Sequence, residues 1–353
     1  MIKIAFSAKF AIIIITIVFL LFGCSYAYSS LVFYDDSVRI IASSNSTRDI
    51  TAIVTEEGNC YIRGFLHEDS CYGVQDVTTY TKRYNNIFDP SAPDRFVQIY
   101  DQGDAKDIIL SEEGGCIVTN QNKLLIFSNN CVQYTYPTYF CDNIISAKLV
   151  EDMVYILNTD HCFGYYEINS PGQFVQLRSN IQKFILPNGD TSLWLHTADG
   201  VLEMYESIDN LSEATHSIDD IFCFDVMCFY SAPSLQNAGY SFAFINNKGE
   251  IFYYRGYGFP IEEKKNEVKI IQDKGESVAT YSNGAIVLDQ CRASLYGEDI
   301  FGDKTYEGLV LADDVIDISS GMSSLNIASE DRFQAFGILP SSTTISIEEL
   351  TVQ

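Results

Sequence analysis

Seven short segments of this chain read as one unit: an apolar strand, a polar turn, and a second strand closing on an aromatic or arginine beside Gly, Ser or Glu. The clearest pair is GAIVLDQCRASLYG (284–297) and GCIVTNQNKLLIFS (115–128). Gly, Ile, Val and Gln coincide in them, Arg292 answers Lys123, and Tyr296 answers Phe127. TAIVTEEGNCYIRG (51–64) and SLNIASEDRFQAFG (324–337) keep that register. VYILNTDHCFGYYE (154–167), LWLHTADGVLEMYE (193–206) and AFINNKGEIFYYRG (243–256) follow it more loosely. Apolar runs flanking turns such as Glu57-Gly58-Asn59, Asn120-Gln121-Asn122, Asp199-Gly200 and Asp289-Gln290 specify β-hairpins.

The copies end at residues 64, 128, 167, 206, 256, 297 and 337, about 45 residues apart on average. A hairpin plus flanking strands at that period is a propeller blade, and a closed ring removes the open sheet edges that a lone blade would expose. The sequence therefore predicts an all-β chain: a single seven-bladed β-propeller over 28–353, behind an N-terminal signal or anchor segment at 1–27. LVFY (31–34) and TTISIEEL (343–350) are candidate strands for joining the ends of the ring. The two long gaps predict insertions near 66–94 and 207–238. The near-copies TEEGNC (55–60) and SEEGGC (111–116) are not a second repeat. Aligned on the strands, the first is the turn inside a hairpin and the second is the loop before one, because both ends of a short strand favour Glu and Gly.

The first residues, MIKIAFSAKFAIIIITIVFLLFGCSYAYSS, carry Lys3 and Lys9 before an apolar run at 10–23. That length suits a secretory signal and falls short of a bilayer span, with small residues positioned for a cut after Ala27. An uncleaved signal anchor and lipidation at Cys24 are the alternatives. The compartment is thus secreted, or the extracellular side of the membrane, with membrane contact only through an uncleaved N-terminus. Nine of the ten cysteines lie beyond Ala27, so disulfides are expected. The preferred pairs are Cys60 with Cys71 and Cys131 with Cys141, and Cys223 and Cys228 read as a local disulfide or as two buried thiols. Asn45 and Asn210 begin glycosylation sequons.

The chain holds 47 acidic and 22 basic side chains. Such an acidic balance excludes the basic stripe that nucleic acid requires and opposes docking on anionic lipid. The four histidines, His67, His161, His196 and His216, are spread over different units, and no Gly-x-Ser-x-Gly elbow occurs. Cys223 and Cys228 have no further cysteine or histidine pair at zinc-site spacing. The oxygen-rich runs Asp101–Asp107 and Glu298–Asp303 lack calcium-loop spacing and read as solvated loops. No catalytic residue, metal or cofactor is expected. Tyr72, Tyr80, Tyr84, Phe88 and Phe96 cluster around the first insertion, and aromatics on a propeller loop suit a protein interface.

VIDISSGMSSLNIASEDRFQAFG (315–337) and LYGEDIFG (295–302) resemble the repeat of the regulator-of-chromosome-condensation family. That repeat has an apolar strand, a Gly loop, a second strand, an acidic turn and an aromatic-Gly end. The resemblance is good over the last two units, fair in units one, two and five, and faint in three and four. It implies a seven-bladed propeller and a range of roles that includes GTPase nucleotide exchange, exported enzyme inhibition and protein interaction. Most units here lack the family's Gly-loop His, so the fold transfers more safely than a function. The expected function is a non-enzymatic exported propeller binding a protein or other macromolecule through its face loops. The alternatives are a hydrolase or lyase with channel carboxylates and, by family analogy, a guanine-nucleotide exchange factor.

Overall fold

The computed structural model describes residues 31–34, 40–45, 51–63, 97–111, 114–130, 133–134, 137–187, 190–212, 214–230, 238–258, 274–298, 305–321, 324–329 and 332–337. Among them there is no helix. The chain opens with β1 (Leu31–Tyr34). A first sheet follows from β2 (Ile40–Asn45), β3 (Thr51–Thr55), β4 (Cys60–Arg63) and β5 (Val97–Tyr100). The second holds β6 (Ala105–Ser111), β7 (Gly114–Thr119), β8 (Leu124–Asn130) and β10 (Thr138–Cys141), with the short β9 (Gln133–Tyr134) paired to β8.

Third come β11 (Ile144–Val150), β12 (Met153–Asn158), β13 (Phe163–Glu167) and β14 (Ser170–Arg178). The fourth sheet is β15 (Ile181–Ile185), β16 (Leu193–Thr197), β17 (Leu202–Tyr205) and β18 (His216–Ile218). The fifth has three described strands, β19 (Ile221–Tyr230), β20 (Gly239–Asn246) and β21 (Ile251–Tyr257). In the sixth are β22 (Ser277–Tyr281), β23 (Gly284–Asp289), β24 (Arg292–Glu298) and β25 (Thr305–Ala312). The last consists of β26 (Val315–Ser320), β27 (Ser324–Ser329) and β28 (Arg332–Gly337), and β1 returns to complete it by pairing antiparallel with β28.

Every hairpin expected from the repeat forms, as the middle pair in six of these sheets and as the last two of three described strands in the fifth. The second strand of each is buried throughout or nearly so, as TAIVT and GGCIVT show. Such strands are covered on both faces by neighbouring sheets, which explains why they read as continuous apolar runs rather than as alternation. Their side chains fill the space between sheets. Ile53, Cys116, Ile156, Leu195, Ala243, Ile286 and Ile327 are all at most 1% exposed.

Three repeated devices join the sheets. First, the residue opening five of the hairpin turns is short and polar. Its side-chain oxygen accepts the backbone N–H four residues on: Thr55 from Asn59, Thr119 from Lys123, Asn158 from Cys162, Thr197 from Val201 and Asn246 from Glu250. Second, a left-handed residue follows in the turn, with φ of 76° at Gly58, 59° at Asn122, 59° at His161 and 79° at Gly200. Its carbonyl then accepts from the first residue of the next sheet, as in Ala105 N–H to Gly58, Ile144 to Asn122, Ile181 to His161 and Ile221 to Gly200. At Gly58 a Cβ would lie 2.5 Å from the Gly103 carbonyl carbon, so only glycine allows that approach. Third, a β-bulge interrupts the first strand of six sheets after its opening residue, at Ile40, Ala105, Ile144, Ile181, Ile221 and Val315.

Two sequence expectations change. The block 207–238 is not an added loop, since it carries β18 and β19. The gap is long because β19 runs for 10 residues, against 5 in the first strand of the sheet before it. The sixth hairpin turn is Gln290-Cys291, one residue later than read, because Asp289 pairs with Arg292. Both turn residues have positive φ, 48° and 61°, the signature of the mirror-image turn that matches strand twist. The block 66–94 and the 343–350 strand lie outside the described residues.

Candidate functional site

The first strands of successive sheets lie side by side: β2 on β6, β6 on β11, β19 on β22, β22 on β26, and β26 back on β2. The remaining steps are made by β12 with β15 and by hydrogen bonds between the fourth and fifth sheets, so the circuit closes around a central channel. Ile108, Ala147, Phe184, Phe224 and Ile318 turn into the sheet interfaces and are buried. Residues beside them on the same strands turn into the channel with period two. They include Ser44, Asp107, Lys148, Lys183, Asp225, Thr280 and Asp317.

These polar groups are tied into the wall. Ser44 Oγ accepts from the Leu110 N–H at 3.0 Å, and Lys148 Nζ donates to the Leu110 carbonyl at 2.9 Å. Lys183 Nζ donates to the Phe224 carbonyl at 2.7 Å and sits over the Phe224 ring. Asp225 Oδ2 accepts from both the backbone N–H and the hydroxyl of Thr280, at 2.7 and 3.1 Å. Ser320 Oγ donates to the Thr280 carbonyl. Each contact crosses from one sheet to its neighbour. Charge and hydroxyl therefore serve here as clamps between sheets, added to the apolar packing and to the turn carbonyls that bond the next sheet.

Asp107 is the least well compensated. Its Oδ1 accepts from the Ile108 N–H at 2.8 Å. Burial, and then Asp317, push its carboxyl up to about 7, against the weaker pull of that N–H, Lys106 and Lys183. Burial also raises Asp225, opposed by Lys183 and Thr280. An unfolded Asp titrates near 3.9, so between about pH 4 and pH 7 the native state holds the extra proton. Stability contributed by Asp107 therefore falls as pH rises through that window. Asp107→Asn keeps an acceptor for Ile108 and should stabilise the protein at neutral pH by roughly 1–4 kcal/mol, while changing little near pH 4. Urea unfolding of both proteins at the two pH values checks the sign.

The sequence-stated sites disperse. Cys223 and Cys228 are both free thiols on β19. Five residues of extended strand hold their Cα atoms about 17 Å apart, far beyond disulfide reach, so the local bridge is excluded. Among the described residues there is no disulfide. Cys60 and Cys141 are free thiols there, while Cys71 and Cys131 lie outside the described residues. Burial pushes Cys116 and Cys141 up to about 12 and Cys223 to about 11, and raises Cys60 as well. Cys291 alone among the described cysteines is exposed. It should react within the dead time of a thiol-reagent assay on native protein, whereas Cys60 and Cys116 should label only on unfolding. Mass mapping of the labelled peptides decides it.

His161 and His196 do one structural job in adjacent sheets. Their ring nitrogens contact the carbonyls of Ile181 and Ile221, each at 3.0 Å. Burial, and then Lys183, lower His196 against the pull of the Ile221 carbonyl. Asp104 accepts from the Tyr100 hydroxyl at 2.6 Å while Asp107 faces the channel, so the first oxygen-rich run does not converge. Asn45 ends β2 opposite Thr51, and Asn210 is exposed between β17 and β18, accepting from Ser212 at 2.8 Å. Tyr72, Tyr80, Tyr84, Phe88 and Phe96 lie outside the described side chains. Sequence reading missed the channel residues altogether. Their only signal is a polar residue at every second position of a strand whose other side is apolar.

The circuit of antiparallel sheets, mostly four-stranded, around a channel decides the architecture. The fold is a β-propeller. No protein-family model and no curated protein matches the chain. Among solved structures the propeller is similar to the crystal structure of human WBSCR16, with a TM-score of 0.55 and 8% identity over 86% of this chain and 88% of that one. At that identity the likeness concerns the fold alone.

Proposed function

We propose that this chain is an exported, non-enzymatic propeller that binds another protein or macromolecule through loops on one face. We take the seven sheets as seven blades, with β1 on β28 closing the ring. The observation that carries the binding reading is the division of labour among the polar groups. The channel's lysines and Asp225 are spent on clamps between blades, whereas the turns around the channel mouth are exposed. Propellers offer such a loop-covered face as a rigid platform.

Immobilised full chain, incubated with proteins from the secreted and surface fractions of its host, should retain a saturable partner that free chain displaces. Absence of any saturable partner would sink the reading. Repeating the capture with block 66–94 deleted assigns that loop, since an unchanged partner profile removes it from the account. The N-terminal residue of exported material tests cleavage after Ala27, and a glycosidase mass shift tests Asn210.

A second reading, hydrolysis or lyase chemistry in the channel, draws on the raised Asp107 carboxyl beside Asp317, a group suited to general-acid work near neutrality. It weighs less, because Asp225 is consumed by Thr280 and would have to break a clamp to react.

A further inference from the structure

In the six bulged first strands one residue pairs with nothing on the neighbouring strand, and these bulges sit at one end of the channel. The hairpin turns share that end, because their carbonyls bond the opening residues of the next blade. Around this mouth the bulge positions are Ile41, Lys106, Ile145, Gln182, Phe222 and Ile316. Phe222 and Ile316 are 53% and 42% exposed, among the most exposed large apolar side chains described. Scattered exposed apolar residues need no explanation. Here two of them hold the same structural position on a single rim, while Ile41 and Ile145 pack against the core and Lys106 and Gln182 hold the other bulges.

Outside that rim the turns are mainly acidic, with Lys123 and Lys248 as exposed cations among them. Glu57, Asp142, Asp199, Asp219 and Asp314 are exposed there. Two of the few cations nearby are engaged: Lys106 donates to Asn122 at 2.5 Å, and Arg292 pairs with Asp313 at 2.7 Å. Two exposed apolar side chains inside a mainly acidic collar disfavour anionic lipid and phosphate backbone and favour a cationic protein.

We infer that the hairpin-turn mouth of the channel docks a protein segment whose apolar side chains, seated on Phe222 and Ile316, are flanked by lysine and arginine. This rests on the binding reading above and names its face and its partner chemistry.

The test uses the full chain and fluorescent short peptides: one mixing Lys and Arg with Leu and Phe, one with Gly and Ser replacing the apolar residues, and one with Glu replacing the basic ones. Only the first should bind, with affinity falling as salt rises. Phe222→Ser with Ile316→Ser should weaken it about tenfold or more. Tyr257→Ser, at the far end of the hairpin strand β21, removes another exposed aromatic and should leave binding unchanged. Both variants replace exposed side chains, and unaltered circular dichroism confirms their folding.

Equal binding of the Gly/Ser peptide, or binding lost in Tyr257→Ser but kept in the double variant, overturns the inference while the binding reading stands. No peptide binding, with saturable capture of a natural partner, rejects the partner chemistry alone. If neither peptide nor natural partner binds, both readings fall.

Discussion

Replacing Val32 and Phe33 together by proline should open the ring. Val32 and Phe33 face Gln334 and Phe333 across the β1–β28 ladder. Alternate residues of an edge strand aim their N–H groups at the partner, so two adjacent prolines remove a donor whatever the phase. The loss is on the order of 3 kcal/mol from hydrogen bonds and strand geometry, and it leaves β28 as a bare sheet edge. The variant should melt at lower temperature, with a broader transition, and should aggregate on heating. A sharp transition at the wild-type temperature would show that β1 does not close the ring. Proline at Asp35 and Asp36, just beyond the strand, is the matched control.

The second large effect is expected at Trp194. It is fully buried, with ring centroids 5.0 Å from Phe242 and 5.8 Å from Tyr240 in the next blade. Its Nε1–H donates to Ser192 Oγ at 3.2 Å. Ser192 Oγ in turn donates to Asp190 Oδ2, which also accepts from the Tyr240 hydroxyl at 2.6 Å. Trp194→Ala removes the packing core of this interface and strands part of the chain of bonds, a loss of about 3–5 kcal/mol. Trp194→Phe should keep most of the packing and forfeit only the donor, about 1–2 kcal/mol. Denaturant midpoints followed by circular dichroism check both, since Trp194 is the chain's only tryptophan and its fluorescence disappears with it. Equal losses in the two variants would place the energy in the hydrogen bonds rather than in the ring.

The two sites differ in how readable they were. LVFY stood out as an apolar strand without a hairpin of its own, which is why it could be assigned to ring closure. The Trp194 network could not be seen, because Asp190 and Tyr240 are 50 residues apart and meet only when two blades pack. The cysteines show the opposite hazard. Close spacing of Cys223 and Cys228 suggested a bridge, yet an extended strand separates neighbours in sequence as firmly as a turn unites them.

The hairpins and the repeat period were determined by the sequence alone, and the turns to within a residue, because strand alternation and turn chemistry act over a few residues. The column Thr55, Thr119, Asn158, Thr197 and Asn246 was equally present, a short polar acceptor at five of the turns, and needed only the turn geometry to be understood. What only the tertiary structure decided is where the first strands point. Bulges at Ala105, Ile221 and Val315 set which residue leaves the sheet, and so put Asp107 in the channel and Phe222 and Ile316 on its rim. A one-residue bulge reverses the facing of every side chain beyond it, and its position depends on the hydrogen bond offered by the preceding blade.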